Sequence, residues 1–254
     1  MNAQLGIRDT EANATKVPFS CAICVGFDLK VCGAAAGSEA AAACTKSLKV
    51  RQSANTAPAR RIIWRGQELH NIVPVICSGW AAAIVMLSNG SRQIVSFLLP
   101  GDVISTTLLF DARPYCMVEA ITDVSYRAFD RLELKALLYR DPELIDRFSK
   151  AWVDEKARAD QLIVDLGRRT ADERIARLIL NLFDRLEKRG MVQGDPVEFD
   201  FPLRQHHIAD ATGLTPVHVS KVLTEFRRNG FINISERSLT ILDQAGFRRI
   251  ANMR

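Results

Sequence analysis

Between Asp141-Pro142 and Leu166 the chain carries one narrow apolar stripe, and that stripe limits its folds more than any other feature. Pro142 after Asp141 is a good helix start, because proline in the first turn gives up only an N–H that has no intrahelical partner. From there Leu144, Ile145, Phe148, Trp152, Ala159, Leu162, Ile163 and Leu166 recur at spacings of three, four or seven, and the other faces are densely charged. So long a helix with so narrow a seam suits a coiled coil with an identical partner, with Trp152, Ala159, Leu162, Ile163 and Leu166 as its dimerisation residues. The alternative is a helix laid on a β domain of its own chain.

Upstream, from about Ala59 to Tyr139, the apolar runs are short and separated by turn residues. Ser88-Asn89-Gly90-Ser91 divides Ile84-Val-Met-Leu from Gln93-Ile-Val-Ser-Phe-Leu-Leu, a hairpin signal because Asn-Gly accepts positive φ. Ser78-Gly79 and Pro100-Gly101-Asp102 mark further turns. Strands at this spacing predict an antiparallel sandwich or roll. Residues 33–58, rich in Ala, Ser, Thr and Asn, read as a weakly specified linker behind a cysteine cluster. The chain thus divides into 1–58 (cysteine cluster and linker), 59–139 (β domain), 140–168 (long helix) and 169–254.

The last segment has its own logic. A helix from Ala171 to about Arg189 ends at Gly190, and Val197–Leu203 alternates as a strand with a proline near its end. Arg204–Ala211 makes a short helix, Gly213 a tight turn, Thr215 an N-cap, and Pro216 the first residue of the next helix. At about 100° per residue, Val219, Val222, Leu223 and Phe226 fall on one side of that helix. Val217, Lys221, Thr224 and Arg228 fall on the other, flanked by His218, Ser220 and Glu225. One face is core, and the other offers hydroxyl, cationic and small apolar groups suited to base edges and phosphates. Phe231–Leu242 reads as two strands around a polar tip, a winged hairpin. The candidate DNA contacts are Arg204, Thr215, Val217, His218, Ser220, Lys221 and Arg228.

Arg65-Gly-Gln-Glu68, Gln93–Val103, Arg169-Thr-Ala-Asp-Glu-Arg-Ile-Ala-Arg-Leu178 and Gly213-Leu-Thr-Pro-Val-His-Val-Ser-Lys221, in this order, resemble the CRP/FNR transcription regulators over residues 59–254. The resemblance implies an α+β fold: an N-terminal antiparallel β-roll sensor of the cyclic-nucleotide-binding kind, a long dimerisation helix, and a C-terminal winged helix-turn-helix. It also implies a homodimer on double-stranded DNA with a palindromic operator, and RNA polymerase as a further partner. The family's recognition helix carries a glutamate, then a serine and an arginine three and four positions later. Val217, Ser220 and Lys221 stand there. Without the glutamate the acceptor for a cytosine amino group is missing, and lysine replaces a bidentate fork by a point charge. The family's half-site is therefore not carried over unaltered.

Cyclic-nucleotide receptors of this family hold the ribose with the glutamate of a Gly-Glu-Leu cassette and neutralise the phosphate with the arginine of a following Arg-Ser. Ser105, Thr106 and Thr107 replace the first motif here, and Pro114 and Tyr115 the second. A phosphate buried without a cation is costly, so cAMP is not expected unless Arg113 substitutes. Cys21-x2-Cys24-x7-Cys32-Gly33 is similar instead to the FNR/FnrN branch, which implies an oxygen-labile [4Fe-4S] cluster. The branch's fourth cysteine would lie near Ser125-Tyr126-Arg127, where none is present. Cys116 is the best substitute, with Cys44 in the linker and Cys77, read as core, behind it. A structural zinc site, thiol redox chemistry and a metal-free regulator with a small-molecule effector in the β-roll are the alternatives.

Composition agrees with this reading. A chain of 254 residues, 48% apolar and 25% charged, is globular rather than disordered. Its apolar runs, such as Ala81–Leu87, are too short to span a bilayer, so no membrane partner is expected. Met1-Asn-Ala-Gln-Leu-Gly lacks a basic-then-apolar signal, which makes a cytoplasmic location the expectation and disulfides an unlikely use of the cysteines. Most of the net charge of +5 lies from Arg168 onward, where 15 Lys/Arg face 11 Asp/Glu, as suits a nucleic-acid partner. No nucleophile elbow, Walker loop, His-Glu-x-x-His or paired carboxylates occur, so an enzyme is not expected.

Overall fold

The computed structural model describes residues 50–66, 71–110 and 114–252. Seven strands form the predicted antiparallel roll. One sheet runs β1 (Gln52–Ala57), β7 (Val124–Asp130), β3 (Ile72–Ser78). The other runs β2 (Ile62–Trp64), β6 (Met117–Ala120), β4 (Ala81–Met86), β5 (Arg92–Leu98). Between them lies a core that includes Trp64, Val73, Ile76, Val118 and Phe129. The Asn-Gly hairpin is present: Gly90 sits at φ +82° and Leu87 N–H donates to Ser91 O at 2.9 Å. The roll begins earlier than Ala59. Gln52–Ala57, inside the expected linker, pairs along β7 from Gln52↔Phe129 to Ala57↔Val124.

Strand β4 explains its own composition. Ala81 and Ala83 point into the roll, while Ala82 and Ile84 point outward, with Trp80, into a second core. Both faces are covered, so the strand is apolar without alternation. The second core is built on α3 (Ala171–Glu187), whose start is a capping box: Thr170 Oγ1 accepts from Glu173 N–H, and Thr170 N–H donates to the Glu173 carboxylate at 2.8 Å. Around it stand β8 (Val197–Asp200), α4 (Gln205–Thr212), α5 (Pro216–Arg228), β9 (Ile232–Ser235), β10 (Ser238–Ile241) and α6 (Gln244–Ile250). The three strands pair in the order β8-β10-β9, giving the wing. The expected strand to Leu203 stops at Asp200, two residues before Pro202, which has no N–H for a ladder.

Two helices join the halves. The first, α1 (Arg131–Arg140), is capped by Asp130, whose carboxylate accepts from Glu133 N–H at 3.0 Å. The second, α2 (Pro142–Arg168), matches the stripe-bearing helix. Leu144 and Phe148 bury on the roll, whereas Trp152 and Ile163 are 51% and 70% exposed. Ala159 is also exposed. Leu162 and Leu166 are half-buried and face β5 and α3 of their own chain. The own-chain reading therefore holds for the inner edge, which takes Leu162 and Leu166 out of the expected outward seam, and Trp152, Ala159 and Ile163 remain as an exposed row.

Candidate nucleic-acid interface and its docking on the roll

Helices α4 and α5 meet at Gly213, whose φ of +67° a side chain would strain. Thr215 Oγ1 accepts from His218 N–H at 3.2 Å, and Pro216 opens α5. Val219, Val222, Leu223 and Phe226 are buried. On the opposite side Val217 is 67% exposed, and Thr215, His218, Lys221, Thr224 and Arg228 are exposed with it. Ser220 is half-buried and Arg204, the α4 N-cap, is exposed. A concavity of about 520 Å³ runs along this face, between Val217, Ser220, Lys221, Thr224 and Gln205. Gln205 was not singled out from the sequence; its place as first residue of α4, beside the reading face, is a tertiary fact. A free helix face with a lysine, hydroxyls and an amide is what a major groove accepts.

His206 and His218 are exposed, and His207 is half-buried. Arg204 N–H donates to His207 Nδ1 at 3.1 Å, so the neutral ring holds the first turn of α4. Burial, then His206 and the cations Arg92, Arg204 and Arg60, depress its pKa to about 4. A histidine depressed in the folded state leaves the unfolded chain binding more protons between about 4 and 6.5. Stability therefore falls as pH drops through that window and is fully present above 6.5. Urea melts at a series of pH values should show a shallower loss in His207→Asn; an unchanged slope would remove His207 as the cause.

The DNA-binding half is docked on the roll by a buried charge cluster. Pro100-Gly101 makes a turn closed by Asp102 N–H donating to Leu99 O at 2.9 Å, with Gly101 at φ +95°. The Asp102 carboxylate, 8% exposed, accepts from Leu99 N–H at 2.7 Å and from Arg185 and Arg189 of α3. The same arginines donate to the Phe97 and Pro100 carbonyls at 2.9 and 2.7 Å. Burial alone would raise the Asp102 carboxyl, yet the two guanidiniums and the Leu99 amide outweigh it and hold it at about 2. Nearby, Gln93 donates to Ala211 O at 3.3 Å, and Arg92 lies 3.1 Å from Glu119 and 3.5 Å from Asp210.

At the cassette, Thr106 N–H and Oγ1–H both donate to Glu155 of α2, at 3.1 and 2.7 Å. Phe110, at the end of the 3₁₀ turn Thr106–Phe110, lies 5.7 Å from the Trp152 ring. Pro114 is buried, Tyr115 is 69% exposed, and Arg113 lies outside the described residues. So do Cys21, Cys24, Cys32 and Cys44. Cys77, expected in the core, is half-buried at the end of β3, where the register shifts. Cys116 is also half-buried, and burial, with the Glu155 carboxylate beside it, pushes its thiol pKa up. Metal ligation needs the thiolate, so a metal at Cys116 would have to displace a proton that these surroundings hold. Among the described residues no group of three or more His, Cys, Asp or Glu could hold a metal ion.

A roll whose outer face carries a winged helix-turn-helix with a solvent-facing reading helix defines a DNA-binding regulator. Residues 55–141 match the cyclic nucleotide-binding domain and residues 173–250 the Crp-like helix-turn-helix domain. The nitrogen fixation regulation protein FixK of Rhizobium meliloti is 30% identical over 198 residues, 77% of this chain and 85% of that one. FixK of Bradyrhizobium diazoefficiens is 32% identical over 65% of this chain and 68% of its own length. The transcriptional activator FnrL of Cereibacter sphaeroides is 29% identical over 72% and 74%. Among solved structures, FixK2 of Bradyrhizobium japonicum superposes with a TM-score of 0.70 at 24% identity, covering 79% of this chain and 98% of that one. The chain belongs to the CRP/FNR family of transcription regulators. It is a DNA-binding regulator and not an enzyme.

Proposed function

We propose that this regulator works in the cytoplasm as a homodimer, reads a palindromic operator with α5, and responds to oxygen or redox state through an iron–sulfur cluster on Cys21, Cys24 and Cys32. The observation that carries the DNA reading is the solvent-facing side of α5, with Val217, His218, Lys221, Thr224 and Arg228 exposed, set opposite a buried apolar one. Support for the dimer is the outward row Trp152, Ala159, Ile163 on a helix already packed on its other side. The cluster rests on the spacing of Cys21, Cys24 and Cys32, which resembles that of the FNR/FnrN branch. Its fourth ligand comes from Cys77, Cys44 or a rearranged Cys116. Cyclic nucleotides are not the effector in this reading, because the Glu155 carboxylate occupies the Thr106 donors and would repel a phosphate. RNA polymerase is the partner through which bound protein acts on transcription.

The full chain purified without oxygen tests the sensing part. Iron and sulfide should copurify with a visible absorbance band, and air should remove both the band and the operator footprint. A metal-free chain that footprints equally with and without oxygen would sink the cluster and leave the DNA reading standing.

A further inference from the structure

Two cavities adjoin where the roll, α2 and α3 meet. One, of about 110 Å³, has apolar walls from Ile94, Phe97, Leu162, Leu178 and Leu182. The other, of about 800 Å³, is polar and opens between the Gly101-Asp102 turn, α2 and α3. Arg158, Gln161, Asn181 and Arg185 line both and so form the passage between them. Arg185 shares the Asp102 carboxylate with Arg189, whereas Arg158 has no carboxylate partner among the described residues. Arg158 Nε and Arg185 Nε are both buried with no acceptor. The carboxylate on the apolar side, Asp165, is already taken by Gln161, Arg169 and Arg177 at 2.8, 3.1 and 2.7 Å. Arg158 and Arg185 repel each other, and that repulsion adds to burial in bringing the Arg185 pKa to about 10.

Buried guanidinium N–H groups without acceptors are costly, and a carboxylate offers two oxygens to two such donors. The apolar chamber beside them takes a hydrocarbon body; benzene occupies a cavity of roughly 150 Å³ elsewhere, so a short chain, or a single ring reaching back into the passage, is the upper limit of size. In the polar chamber Asp102 is taken by Arg185 and Arg189 and Asp184 by Arg248, while Asp154 and Glu155 stand against Lys150 and Lys188; Arg158 is left as the spare positive charge, which suits one carboxylate. We propose that this passage is a binding site for a small amphipathic monocarboxylic acid, with its carboxylate between Arg158 and Arg185 and its aromatic or aliphatic body in the chamber of Phe97, Leu162 and Leu182. The site lies between the roll and the DNA-binding half and uses none of the N-terminal cysteines.

Benzoate is the probe, titrated into the full chain by calorimetry and thermal melting. It should bind once per chain and raise the Tm, and benzyl alcohol, its uncharged counterpart, should bind at least about tenfold more weakly. Arg158→Gln removes the charge without breaking any bond in the structure and should abolish the benzoate effect while the free protein melts no lower. Leu178→Phe, which fills the chamber, should weaken binding in the same way. Cys24→Ser should bind benzoate normally, which separates this site from the cluster. Equal binding of benzoate and benzyl alcohol, equal binding by R158Q, or no binding of benzoate up to about 10 mM would each overturn the site.

Discussion

Asp102→Ala should destabilise the protein by about 3–5 kcal/mol, because it strips the one carboxylate from between two buried guanidiniums. The intact clasp is worth much less than that. Desolvating three charged groups offsets most of their attraction, and Arg185 shows the cost in a pKa brought down to about 10, first by burial. Breaking one partner is different, since Arg185 and Arg189 would keep their burial and lose their counter-charge. Asp102→Asn should fall between the two, keeping an acceptor for Leu99 N–H but no charge. The expected readout is an earlier urea midpoint, with faster proteolysis between roll and DNA-binding half. A D102A melt indistinguishable from the parent would remove the clasp from the account of docking. The pH dependence has a definite sign. With the folded carboxyl at about 2 and an ordinary value of 3.8, this stabilisation is present above 3.8 and lost as pH falls through 2.

Lys221→Ala should cut affinity for the specific operator by about 10- to 100-fold, the range for losing one good contact to a base. The side chain is exposed and makes no structural contact, so the melting temperature should hold. That pairing of lost binding with kept stability distinguishes a reading residue from a structural one. Val217→Glu makes the complementary point, since it places an acceptor at the exposed second residue of α5 and should shift the preferred half-site towards one with an accessible cytosine amino group. A K221A footprint identical in position and half-saturation to the parent's would move the reading face elsewhere.

Much of this was legible in the sequence where local chemistry decides the outcome. The Asn89-Gly90 hairpin, the Asp141-Pro142 helix start and the Thr215-Pro216 cap needed only their neighbours, and each stands as expected. Strand β1 was not legible, because Gln-Ser-Ala-Asn-Thr-Ala has no apolar alternation and is ordered by backbone pairing along β7. Helix α1 follows β7 without a break residue, and only Asp130 marks its start. The Asp102 clasp was invisible because its partners lie 83 and 87 residues away. The stripe on α2 shows a subtler limit: periodicity says that a face is buried and not by what, so Leu162 and Ile163, one residue apart, end with different surroundings.

Strand β4 carries a consequence for how this protein can be cut and recombined. Trp80, Ala82, Ile84, Ile94, Phe97 and Leu99 share one continuous core with Ile179, Leu182 and Phe183 of α3. The two segments that match different domain families therefore share apolar packing across their boundary. They should melt in a single cooperative step rather than two. A chimera that joins this winged helix to a foreign sensor must also transplant the outer face of β4 and β5, or it will leave that apolar surface wet and sticky. The boundary that domain recognition draws through the chain is a seam of ancestry, and the unit that folds lies across it.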